Sequence, residues 1–89
     1  MEIKSEKDFA DLRQYLIKLS RRFPMFRQDV AQIERVIEEH IKNHSIALIH
    51  YRQSHSKRYL ETAQHELDKI NRVLSTVSKM ELMALLSQG

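Results

Sequence analysis

The chain has 89 residues, 30% of them charged and 42% hydrophobic, with one Gly, one Pro and no Cys. That length fits one domain with a core near the small end of what folds alone, and the absence of cysteine excludes a disulfide framework and Cys-based zinc sites. The formal net charge is +3 with a sequence pI near 9.4, a modest excess that favours an acidic partner only slightly. The first residues are charged where the apolar core of a signal peptide would lie, and no apolar run approaches the roughly 18–20 residues of a membrane span. A cytoplasmic protein with no membrane contact is the expectation.

Ser5-Glu6-Lys7-Asp8 reads as a helix start, with Ser5 as cap and Asp8 where a capping-box acid belongs. Phe9, Leu12, Leu16, Leu19 and Phe23 then form one stripe. Arg21 and Arg22 complement the negative end of the helix dipole. Pro24 forces a boundary, because the residue before it is pushed out of the α region. The first helix is expected over about 6–22, and the second over about 26–53.

From Gln28 to Leu86 there is neither Gly nor Pro. Val30, Ile33, Ile37, Ile41, Leu48 and Tyr51 lie at helical spacing, with His44 filling the gap in the series. A second run, Leu60, Ala63, Leu67, Ile70, Leu74 and Val77, follows out of phase with the first. A hairpin folded about His55–Ser56 removes the conflict. Paired numbers then sum to about 111, so that Tyr51 meets Leu60, Leu48 meets Ala63, His44 meets Leu67, Ile41 meets Ile70 and Ile37 meets Leu74. The serines of Gln53-Ser54-His55-Ser56 favour a turn. With no Gly there, one continuous or swapped helix pairing with a second chain is the alternative. The third helix is expected over about 57–87. The fold class that follows is all-α: a short N-terminal helix on a long antiparallel hairpin, a coiled-coil-like three-helix bundle forming a single domain over 1–89.

A first helix this short reaches only to around Asn43 at about 1.5 Å per residue. The hairpin tip is therefore expected to overhang, with Ile46 and Ile49 outside the internal stripe and His50, Tyr51, Tyr59 and Leu60 nearby. The run Met80–Leu86 is apolar nearly all round. It is expected to close the core against Phe23, Met25 and Phe26, or to offer Met83 and Leu86 to another chain.

Candidate chemistry is thin. There is no Gly-rich phosphate loop, no cysteine nucleophile and no Ser–His–acid order, so no catalysis, cofactor or small-molecule substrate is expected. His40 and His44, four apart, and Glu61 and His65 across the hairpin suggest a weak metal reading. A pH-sensitive seam through His40 and His44 ranks above it, because burying imidazolium is costly and burying imidazole is not. Two basic clusters, Lys18, Arg21, Arg22 and Arg27 at the Pro24 corner and Arg52, Lys57 and Arg58 at the tip, support a nucleic-acid-binding accessory protein as the second function. They are expected at opposite ends, with acids such as Glu34, Glu38, Glu61, Glu66 and Asp68 interrupting the surface between them. The leading function is a helical protein–protein module, an adaptor, co-chaperone or regulatory subunit, acting through self-association and an apolar groove.

Overall fold

The structure, a computed structural model, describes residues 1–88. Three helices follow one another: α1 (Phe9–Arg22), α2 (Arg27–Ser54) and α3 (Lys57–Gln88). Single 3-10 turns at Glu6–Asp8 and Pro24–Phe26 lead into α1 and α2. The long helices α2 and α3 pack antiparallel along their length, and α1 lies against the lower half of the pair. The result is a rod with extents of 53 × 18 × 16 Å.

The start of α1 is fixed by Asp8, whose Oδ2 accepts the backbone N–H groups of Lys4 (2.8 Å) and Ser5 (3.2 Å). Two otherwise orphaned donors are satisfied there. Upstream, Ile3 is almost fully buried, and its backbone is gripped by Asn71 of α3. Ile3 N–H donates to Asn71 Oδ1 (2.7 Å), and Asn71 Nδ2 donates to the Ile3 carbonyl (3.0 Å). The segment before the helix thus lengthens the third layer, which the periodicity alone did not reveal.

The hairpin turn falls at His55–Ser56, as the change of phase predicts. Its chemistry is that of a helix C-cap without glycine. His55 adopts the left-handed conformation (φ 55°, ψ 23°), and its N–H donates to the Tyr51 carbonyl at 2.7 Å. Ser54 Oγ donates to the His50 carbonyl (2.9 Å) and accepts from Ser56 N–H (3.3 Å). The serines therefore replace backbone bonds that the turn interrupts.

The core joins Leu12, Leu16, Leu19 and Phe23 of the first layer to Val30, Ile37 and Ile41 of α2 and Leu67, Ile70, Leu74 and Val77 of α3. The layers open towards the tip. Ile41 and Ile70 are closed, Leu48 and Tyr51 are half-buried, and Leu60 is 40% exposed. Leu60, expected to complete a layer with Tyr51, is thus left partly in water, because nothing from α1 reaches that height.

A larger departure lies at the other end. The run Met80–Leu86 does not close the core: only Ala84 is buried, while Leu82, Met83 and Leu86 are 57%, 67% and 72% exposed. Phe23 is fully buried, with Phe26 beside it at 6.3 Å between ring centroids. Met25, expected to pack with that run, is exposed too.

Candidate functional site

Two regions hold the residues picked out from the sequence, and the rod separates them. Tip residues Ile46, Ile49, His50, Tyr51, Tyr59 and Leu60 sit at one end, and Met83 and Leu86 at the other. They do not form one surface.

At the tip the residues divide further between the two faces of the hairpin. On one face Ile46, Ala47 and His50 of α2 and Arg58, Tyr59 and Thr62 of α3 line a shallow groove, with Asn43 and Glu66 towards its lower end. The His50 and Tyr59 rings stack at 5.2 Å and an interplanar angle of 25°. The Arg58 guanidinium lies 5.3 Å from the Tyr59 centroid, in cation–π range. Ile46 is 41% exposed and Ile49, one step further along the same side of α2, is 50% exposed. On the opposite face Leu60 lines a second groove with Leu48, Ala63, Leu67 and His44, bounded by Lys4, Ser5 and Glu6. Tyr51 is half-buried beside the turn, with its ring edge-on to His55 at 6.0 Å. The six tip residues therefore belong to two surfaces, and only the first carries the exposed isoleucines.

The two histidines of the suggested seam stand in different environments. His40 is half-buried, and its Nδ1 is 2.6 Å from Glu66 Oε2. Glu66, read from sequence as a surface acid, is instead buried, and its other oxygen lies 3.4 Å from Lys69 Nζ. The missed signal was positional: residue 66 lies three after Ala63 and four before Ile70, so it shares their side of α3. The same logic applies to Ala47, three after His44 and also buried.

His44 is buried with its ring edge against Phe9 (5.4 Å, 86°), and its Nδ1 has no partner among the described residues. Burial pushes its pKa below the ordinary 6.5, while the carboxylates of Glu6 and Glu66 act weakly in the other direction. His65 is exposed, so the suggested grouping of His44 with His65 does not form. Among the described residues no three His, Asp or Glu side chains are gathered as a metal ion would require.

The basic clusters occupy opposite ends of the rod. Arg22 covers the Phe23 ring at 5.2 Å, while Arg52, Lys57 and Arg58 are exposed around the turn. Between them, Glu38 is clamped by Arg13 of α1 in a two-pronged ion pair (Nε–Oε1 2.7 Å, Nη2–Oε2 3.0 Å). That pair holds the Glu38 carboxyl below its usual range. No helix among the described residues is long and apolar enough to cross a membrane. No protein-family model, curated protein or solved structure matches this chain.

Proposed function

We propose that this chain is a helical protein–protein interaction module that self-associates through the hairpin tip, in the cytoplasm, and that it has no catalytic role. The observation that carries the reading is the pair Ile46 and Ile49, half-exposed on the side of α2 that α1 does not reach. Large aliphatic side chains flanked by a stacked aromatic pair are the composition of an interface centre.

Burying the half of the two isoleucines that is still exposed contributes roughly 1.5–3 kcal/mol, which falls short of the cost of association. The contact must therefore extend over Ala47, His50 and Tyr59 along the same groove. Nucleic acid, the second function, gains little from the geometry: Tyr51 and Tyr59 are half-buried rather than presented to bases, and the cations are divided between the two ends.

Sedimentation equilibrium tests the proposal. The wild type is expected to be dimeric or larger at tens of micromolar, and Ile46→Asp/Ile49→Asp to be monomeric with unchanged helicity. A monomeric wild type overturns self-association, and a double variant that stays dimeric moves the interface away from the tip.

A further inference from the structure

The end of the rod opposite the tip carries a different combination of groups. Met25, Leu82, Met83 and Leu86 are 65%, 57%, 67% and 72% exposed there, a higher exposure than either tip isoleucine has. Antiparallel packing puts them at one end of the rod, since the start of α2 lies alongside the end of α3. Arg21, Arg22, Arg27 and Lys79 are exposed at the same end, with Lys18 one turn further back. The acids near them are Asp29, Glu34, which lines a groove with Arg21 and Arg27, and Glu81, which is engaged by the Tyr15 hydroxyl at 2.7 Å; the five cations outnumber them.

We propose that this end is a peripheral docking surface for an anionic lipid membrane, in which the exposed leucines and methionines enter the headgroup boundary while the surrounding arginines and lysine contact the lipid phosphates.

Three features select this occupant. Residues 82, 83 and 86 together span about 100° round α3, on the side turned away from the buried Val77 and Ala84, so they form one convex outward face. A partner helix laid in a groove needs a concave stripe, whereas a lipid interface moulds itself to a convex one. The rim is cationic, which complements the anionic lipids that draw basic segments to membrane surfaces. The same rim opposes a second copy of the chain, since an isologous contact brings together two faces of the same positive net charge. No run is long enough to span, so the contact is peripheral. The expectation of no membrane contact, which rested on span length, does not extend to such a surface.

The test is co-sedimentation of the full chain with vesicles of phosphatidylcholine alone and of phosphatidylcholine with one-quarter phosphatidylglycerol. Binding is expected to the anionic vesicles at roughly 0.1 M salt and to be much reduced at roughly 1 M. Arg21→Gln/Arg22→Gln/Arg27→Gln is expected to lower partitioning about fivefold per arginine. Leu82→Ser/Met83→Ser/Leu86→Ser is expected to lower it at least about tenfold while leaving the thermal transition in place, because these side chains lie outside the core.

The chain has no Trp, so Leu86→Trp supplies an insertion probe whose emission should shift to the blue on anionic vesicles alone. Ile46→Asp/Ile49→Asp should bind vesicles like the wild type, which separates this surface from the tip. Equal binding to neutral and anionic vesicles overturns the proposal, as does no binding to either. Binding untouched by the Leu82/Met83/Leu86 variant, with no shift from Leu86→Trp, reduces the contact to electrostatic adsorption and overturns it too. Loss of an oligomer in that variant, with no vesicle binding by the wild type, assigns the surface to a protein partner instead.

Discussion

His44 illustrates how one residue ties folding to pH. It fills a slot in the apolar series of α2 and is buried accordingly, against Phe9, with Nδ1 unpaired among the described residues. Neutral imidazole tolerates that site better than imidazolium, so its folded pKa lies below the 6.5 of the free side chain. The unfolded chain then binds the proton more readily. The contribution of His44 to stability is complete above about pH 6.5 and is lost as pH falls towards the folded value. Urea midpoints measured from neutral to mildly acidic pH should fall in the wild type, and the fall should be shallower in His44→Leu. Identical slopes in the two proteins would remove His44 as its source.

Tyr15 is the mirror case at high pH: burial first, then the bond to Glu81, pushes its pKa up to about 12, so its support is lost as pH rises above 10. Of these two, His44 was legible in the sequence, because a histidine in an apolar repeat has few places to go. Tyr15 was not, since it is set by a partner far along the chain, Glu81; the burial of Glu66 was legible from its spacing to Ala63 and Ile70, but its pairing with His40 was not.

At the scale of elements the hairpin was the most legible feature. Its evidence was a change of phase between two apolar series, and a register follows directly from where they cross. The observed turn at His55–Ser56 and the buried Ile37, Ile41, Ile70 and Leu74 agree with that register. What periodicity could not reveal was structure without a period. The segment through Ile3 is held by a single side-chain amide, and the 3-10 turns before α1 and α2 are too short to carry a stripe. The C-terminal run misled for the opposite reason. Its apolar content suggested burial, yet only Ala84 joins the core, while Leu82, Met83, Leu85 and Leu86 remain exposed. A cysteine pair, Leu48→Cys with Ala63→Cys, checks the hairpin directly, since the two residues line one groove. Oxidation should give an intramolecular disulfide in a monomer-sized species. Crosslinks between chains alone would mean that α2 and α3 pair across a swapped dimer.

The whole molecule is a rod about 53 Å long with chemically distinct ends and a middle in which exposed acids interleave with Arg35, Lys42, Lys69 and Arg72. This distribution governs how it meets a polyanion. Duplex nucleic acid binds tightly where cations line one continuous face, because each neutralised phosphate releases a counterion and adds to the salt dependence. Here Arg52, Lys57 and Arg58 lie at the tip, and Arg21, Arg22 and Arg27 at the far end. Glu39, Glu61 and Asp68 are exposed between them. A straight duplex lying along the rod would meet the acids before it could engage both clusters, so only one cluster contributes at a time. That bounds the salt slope. With about three phosphates neutralised and a slope of roughly −0.9 per phosphate, affinity should fall less than about fiftyfold between 50 and 200 mM salt. Binding should be weak, indifferent to sequence and lost near physiological salt. A filter-binding titration against a mixed-sequence duplex measures this. Arg52→Ala/Arg58→Ala and Arg21→Ala/Arg22→Ala should each remove part of the binding, independently of the other. Sub-micromolar binding that persists above roughly 150 mM and collapses with Arg52→Ala/Arg58→Ala alone would instead identify the tip as a dedicated nucleic-acid site, in place of the protein contact proposed for it.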